Sequence, residues 1–560
     1  MKKKITGFCL ALLLGSCLPL SLFGQESEPQ YGGTLVQIHY RSNRETFGWS
    51  PIDGNAATPV FAAPFSEFLL QGDVINRGPR GNKEHMFDVP EFLPDDMLTG
   101  TLAESWKLTD PLTLTFQLRR GVMWTGNTKI GMAAREFVAQ DAAFCLNKYK
   151  EGRMGRTWIP YIDSFEATGK YTLVAHFKKY SPTWAHDFGY GMFGGIYPPE
   201  AFNAGLNDWK NQVGTGPFIL TDFVPASSAT YSRNPNWWNR NQIINGKKHQ
   251  IPFLDKLIWP IIVDTTTQIA ALRTGKCDMH MLVPLTDKES LAKTNPNLMI
   301  RKYLKANTYI VNFDWWTQPF NNESVRRAMM IGTDMNAIVK AAYREGEVQT
   351  YPYCPSLPTT IWTPIKDLPA ETRELFEYNP KKAKEMILKA YPNGFTTTLN
   401  IQSPAVCSSI ASMLLNMWEQ IGVKASIVKH DDSALVTLYQ TNKFTGLAMI
   451  SNGTGLPVPR LAQNADSKWY PLSADSYYTS QVDKLLATTD ITRLNALIKE
   501  LGVYTMNKVY EIPTGAPYLM VMWWPWVKNY YGEYECGWHN HIPWLSHVWI
   551  DQKMKKSLGY

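Results

Sequence analysis

Several things are scarce in this 560-residue chain, and each scarcity removes a class of function. Basic residues beyond the first few never gather into a polybasic block, and Lys2, Lys3 and Lys4 account for three units of the formal net charge of +7. The remainder carries about +4, too little and too scattered for a nucleic-acid partner. Beyond residue 24 no apolar run approaches the roughly 20 residues that span a bilayer. There is no internal repeat and no low-complexity linker. Cysteines are few: past the first 24 residues only Cys145, Cys277, Cys354, Cys407 and Cys536 remain. An odd number at wide spacing is no disulfide framework, and small buried thiols with at most a bridge or two are expected. Catalytic signatures are missing too. The chain has no His-Glu-x-x-His helix and no Gly-x-Ser-x-Gly elbow. Neither Gly214-Thr215-Gly216 nor Gly453-Thr454-Gly455 is followed by the lysine and helix of a phosphate loop. His539-Asn540-His541 lacks metal-ligand spacing and reads as a polar turn, so neither metal nor cofactor is expected.

What is present begins with an export signal. Lys2–Lys4 precede an apolar stretch, 5–23, broken by Gly15 and Pro19. Cleavage near Gly24-Gln25 makes residues 1–24 the signal peptide. Leu14-Gly15-Ser16-Cys17 also resembles a bacterial lipoprotein box, which would place a lipid on Cys17, and both routes stay open.

The rest is ordinary globular material, 44% hydrophobic and 19% charged, but rich in aromatics, with 20 tryptophans. At this length several domains or two large lobes are expected. Alternation predicts strands over 33–40, 112–118, 164–168, 172–177 and 257–263. Helical spacing predicts 137–149 and 266–272, and a helix-like apolar run covers 60–70. Residues 396–401, 410–421 and 423–428 read as strand, helix and strand, a βαβ crossover that demands a parallel pair. Residues 434–439 (helix), 446–450 (strand), 480–486 and 491–509 (helices) follow. Residues 309–313 form a strand that runs into Asp314, Trp315 and Trp316. Asn321 and Asn322 then offer caps for a helix bearing Val325, Ala328 and Met329. A strand ending in aromatics and feeding a helix is expected to build one wall of a cleft.

The blocks LAESW, LTLTFQLRRGVMW, REFVAQDAAF, GTGPF, RNPNWW, ALRTGKCDM and QPFNNESVRRAMMIGTDMNAI, then the βαβ unit and EIP, stand in a specific order. In order and spacing they resemble the family 5 extracytoplasmic solute-binding proteins of ABC importers, the oligopeptide, dipeptide and nickel group. The resemblance covers nearly the whole exported chain. It implies an α/β, two-lobed periplasmic-binding-protein fold of the type II class, with an extra domain in the first lobe and a hinge of two crossing segments. The first lobe would hold residues 25–305, with an inserted subdomain at about 66–195, and recover 515–560; the second would hold 306–514. A solute would be captured between the lobes and handed, chemically unaltered, to an ABC permease by a monomer outside the cytoplasmic membrane. A secreted hydrolase and a ligand-sensing subunit of the same fold are the rival readings.

Candidate ligand contacts are Trp315, Trp316, Ser451, Asn452, Arg460 and Trp524. Adjacent strand residues point oppositely, so at most one of Trp315 and Trp316 faces the cleft. Trp523-Trp524-Pro525-Trp526 stands near the expected hinge and suits packing as well as contact. The stretch after the strand at 446–450 departs from many peptide-binding relatives, which carry there an acid for the ligand's free amine. Here no Asp or Glu occurs between Asp432 and Asp466. A buried cation needs compensation. The usual route to a peptide amino terminus is therefore doubtful, and Arg460 suits a carboxylate or stands solvated.

Overall fold

In the computed structural model the described residues are 28–39, 48–52, 58–87, 92–152, 158–191, 195–244, 246–305, 308–348, 350, 352, 357–452, 456–465 and 471–560 without 538–539. Two mixed sheets organise the chain. The larger runs, strand by strand, Met299–Leu304, Ala516–Trp523, Met279–Val283, Thr34–Ile38, Lys256–Pro260, Ser228–Arg233 and Phe218–Val224; Gly346–Glu347 adds a short partner to Ala516–Trp523. Strand Thr34–Ile38 lies parallel to both its neighbours, Lys256–Pro260 and Met279–Val283. The path from one neighbour to the other passes through helix Thr265–Arg273. In strand Thr34–Ile38, Leu35 and Ile38 are wholly buried in an apolar core.

An antiparallel four-stranded sheet, Ala103–Asp110, Thr113–Leu118, Thr172–Phe177 and Ile162–Gly169, shares that core. Helix Ala139–Glu151 covers it with Ala142, Cys145, Leu146 and Tyr149, the i, i+3, i+4, i+7 stripe that buries one face.

The second sheet has five strands in the order Val423–Lys429, Phe395–Ile401, Leu447–Asn452, Thr308–Phe313 and Glu511–Pro513. The expected crossover is there: Phe395–Ile401 pairs in parallel with Val423–Lys429, joined by helix Ala405–Gln420. That helix buries Cys407, Ile410, Ala411, Leu414 and Trp418, and the Trp418 indole donates to Thr333 Oγ1 at 3.0 Å. A third apolar cluster gathers helices Pro457–Asn464, Ser476–Ala487 and Ile491–Lys508 around Leu304 and Ala516, the ends of two strands of the larger sheet.

One expectation changes. The apolar run 60–70 is helical only over Thr58–Ala62 and ends in strand Leu70–Gly72, because Pro64 supplies no amide to extend a helix. Conversely, the proline pair at 457 and 459 opens helix Pro457–Asn464, since first-turn amides have no intrahelical acceptor to lose. Cys145, Cys277, Cys407 and Cys536 are free, buried thiols; Cys354 and Cys17 lie outside the described residues.

Candidate functional site

The two sheets are joined where strand Met299–Leu304 gives way to Thr308–Phe313 and where Glu511–Pro513 gives way to Ala516–Trp523. These crossing segments are laced together. The Lys305 amide donates to the Pro517 carbonyl at 3.0 Å, and Thr514 Oγ1 donates to the Tyr309 carbonyl at 2.6 Å. Thr308 Oγ1 donates to the Gly515 carbonyl. Gly515 has φ +92°, and a Cβ there would stand 2.2 Å from Val339 Cγ2, so this crossing admits glycine alone.

Strand direction then locates the site. Val283 lies opposite Met520 and the strand at 516–523 runs away from the hinge, so the carboxyl ends of Thr34–Ile38, Lys256–Pro260 and Met279–Val283 lie at the hinge edge. Asn452 lies opposite Thr308, so the carboxyl ends of Phe395–Ile401, Val423–Lys429 and Leu447–Asn452 lie at the same edge of the second sheet. Each sheet also has a topological switch point there. Thr34–Ile38 is flanked on both sides by parallel strands, and Phe395–Ile401 stands between Val423–Lys429 and Leu447–Asn452, parallel to both. Crevices outside carboxyl ends at switch points are where open α/β sheets bind ligands. Here two of them meet across one hinge.

On the second-sheet side, Gln402 is nearly buried and its Oε1 accepts the Ser451 amide at 2.8 Å, tying the two strand ends that flank the switch point. The Asn400 amide group donates to the Thr445 and Leu447 carbonyls, which turns its Oδ1 to accept from His430 Nε2 at 2.8 Å. That fixes the neutral His430 tautomer, with Nδ1 as the acceptor. Asp432 accepts the Ser403 amide at 2.8 Å on the same edge. On the first-sheet side His39 follows the central strand. Its Nε2 lies 2.7 Å from His541 Nε2, and its ring stacks on Trp259 at 5.0 Å. Both imidazoles are buried, so His541 is a core contact, while His539 lies outside the described residues.

Of the residues singled out by sequence, Ser451 and Asn452 stand at this edge, opposite Tyr309 and Thr308. Arg460 lies on the buried face of helix Pro457–Asn464, beside Val458 and Leu461, and its guanidinium donates to Gln463 at 3.0 Å; it is not a solvated surface arginine. Trp315 and Trp316 are elsewhere. Strand Thr308–Phe313 is antiparallel to Leu447–Asn452, so its carboxyl end lies at the far side of the sheet from the hinge. There Trp315 is buried with its indole donating to the Tyr510 carbonyl, and Trp316 is 48% exposed. Trp524 is likewise carried to the end of the larger sheet away from the hinge. It stacks on Trp526 at 4.6 Å, and its indole donates to the Leu272 carbonyl. A lone glutamine or histidine carries no motif, so nothing in the sequence marks Gln402 or His39; only the order of parallel strands gives their positions. Among the described residues no group of three or more His, Cys, Asp or Glu could hold a metal ion, and no helix is long and apolar enough to cross a membrane.

The sequence profile of the bacterial extracellular solute-binding proteins, family 5 Middle, matches residues 98–467. The heme-binding protein A of Haemophilus influenzae is 30% identical over 362 residues, which is 59% of this chain and 61% of that protein. The glutathione-binding protein GsiB of Pectobacterium atrosepticum is 25% identical over 425 residues, 73% of this chain and 78% of its own. The chain thus spans about three-fifths of the first of these relatives. Among solved structures, HbpA2 from Haemophilus parasuis superposes with a TM-score of 0.72 at 21% identity, over 93% of this chain and 100% of the other. DppA from Helicobacter pylori, in complex with the peptide STSA, gives 0.67 at 21% identity, over 93% and 99%. At these identities the superpositions speak for the fold, which is the two-lobed α/β fold of periplasmic binding proteins. With two switch points meeting at a doubly crossed hinge and a family profile over two-thirds of its length, the chain belongs to the family 5 bacterial extracellular solute-binding proteins.

Proposed function

We propose that this protein is the extracytoplasmic solute-binding component of an ABC importer, capturing a peptide-like or other medium-sized polar solute between two lobes and delivering it to the permease. One observation carries the reading: the carboxyl-end crevices of both sheets open on the same hinge, so a solute held by both strand ends stabilises one arrangement of the lobes. The first lobe is residues 25–305 and 515–560, with a subdomain inserted at about 66–195, and the second is 306–514. The allocation of strands between the two sheets supports that division. Ser451, Asn452 and Arg460 are retained as solute contacts. The relative named for glutathione and the solved structure holding the peptide STSA make a peptide-like solute with several hydrogen-bonding groups the best class. The protein acts as a monomer, catalyses nothing, and reaches its compartment through the signal at 1–24 or a lipid on Cys17.

Mass spectrometry of the solute that co-purifies with the protein tests this, followed by calorimetric titration of the emptied protein. A single solute that rebinds and is recovered unchanged is expected. Steady conversion of that solute into a product would overturn the reading.

A further inference from the structure

Besides the two covalent crossings, a third connection joins the sheets. Helix Met335–Ile338, continued by the wider turns of Val339–Tyr343, belongs with the second sheet and packs in its core. Beyond it, Arg344 takes φ +63° and ψ −53°, a γ-turn closed by the Glu345 amide on the Tyr343 carbonyl at 2.7 Å, and turns the chain toward the larger sheet. Gly346 and Glu347 then pair antiparallel with Pro517 and Ala516. The Tyr518 amide donates to the Glu345 carbonyl at 3.2 Å. A Cβ on Gly346 would lie 2.3 Å from the Ala516 carbonyl oxygen, so the approach requires glycine. The side chains repeat the link. Glu345 accepts from Lys302 Nζ at 2.7 Å and from Lys288 Nζ at 3.0 Å, both of them first-lobe residues. The Tyr518 hydroxyl donates to Glu347, and Lys302 Nζ stands 5.2 Å over the Tyr518 ring. Hydrogen bonds from Lys302 and Lys288 hold the Glu345 carboxyl below the usual carboxylate range, so it is charged throughout the neutral region.

We infer that residues 344–347 are a non-covalent strap across the hinge, and that Glu345 is a positioning residue that tightens solute binding without touching solute. This inference rests on the two-lobed binding function proposed above. Two short crossings alone leave the lobes free to twist as well as to open. A third tie, paired with Ala516–Trp523 on the side opposite Met299–Leu304, widens the crossing from two strands to three and restricts the twisting arrangements. Whatever order the strap supplies in advance need not be lost when solute arrives, so affinity rises. Because both ion pairs are about two-fifths exposed, the contribution is modest and screened by salt.

Glu345→Gln is the test, read by small-angle scattering, by hydrogen exchange at the Tyr518 amide and by calorimetry, with reduced glutathione and trialanine as probes. The expected variant has a broader distribution of interlobe distances without solute, faster Tyr518 exchange, and binding weakened about two- to tenfold. Raising salt from about 50 mM to about 500 mM should broaden the unmodified protein in the same way and leave the variant unmoved. Lys288→Met combined with Lys302→Met should reproduce the variant, and should add nothing in the Glu345→Gln background. An unchanged distance distribution with an unchanged salt response would overturn the strap. Failure of both probes to bind the unmodified protein would count against the proposed solute class, while the scattering comparison still decides the strap.

Discussion

Gln402 Oε1 accepts the Ser451 backbone amide at 2.8 Å, so one nearly buried side chain bolts together the two strand ends that flank the second-lobe switch point. Replacing it with leucine leaves that amide short of an acceptor beside the cleft. A stability loss of roughly 1–2 kcal/mol is expected in urea titration. Affinity for the co-purifying solute should fall as well, because the strand end at Ser451 loses its tie to Gln402.

The second crossing segment depends on Gly515. An alanine there meets Val339 Cγ2 and is forced into a left-handed conformation. A loss of about 1–3 kcal/mol in the urea midpoint is expected. Gly121, also at positive φ but with open space around its Cβ position, should lose less on the same substitution.

Glu67 is buried, accepts from the indoles of Trp237 and Trp238, and has its pKa raised to about 7, chiefly by burial. The folded chain therefore holds a proton that the unfolded chain releases near 4.5. Stability from this group is complete below about pH 4.5 and declines as pH rises to about 7. Glu67→Gln should remove a decline of at most ~3 kcal/mol, measured as urea stability at about pH 5 against about pH 8.

His280 and His547 act in the opposite direction. Burial lowers both to about 3, and the Arg80 charge adds to the effect at His547. His280 Nδ1 accepts the Leu282 amide, so the buried ring is neutral. The stability of the neutral rings is complete above about pH 6.5 and is lost as pH falls toward 3. His280→Leu should flatten the acid limb of the stability profile in a circular-dichroism titration, while Glu67→Gln leaves that limb in place.

The two adjacent tryptophans should separate cleanly. Trp316→Ala removes an exposed ring far from the hinge and should leave solute affinity within about twofold. Trp315→Ala empties a core position and should cost about 3–5 kcal/mol of stability.

Local chemistry made much of this protein readable in one dimension. The βαβ unit at 395–429 follows from the spacing of Ile410, Leu414 and Trp418 between two β-rich runs, and Asn379 followed by Pro380 marks the start of the separate helix Pro380–Ala390 that precedes it. The order and spacing of the sequence blocks from LAESW to EIP were enough to point to the family. Periodicity did not show which end of a strand meets the hinge. Trp315 and Trp316 close a strand convincingly in the sequence, yet an antiparallel neighbour sends that end away from the cleft. Trp524 follows a strand that leaves the hinge behind it. Direction relative to a sheet is a property of long-range pairing, set by partners more than a hundred residues distant, and no short window contains it. The site is therefore tertiary in origin: Gln402 beside Ser451, His39 against His541, and Glu345 between Lys288 and Lys302 come together only once the strands have chosen their neighbours.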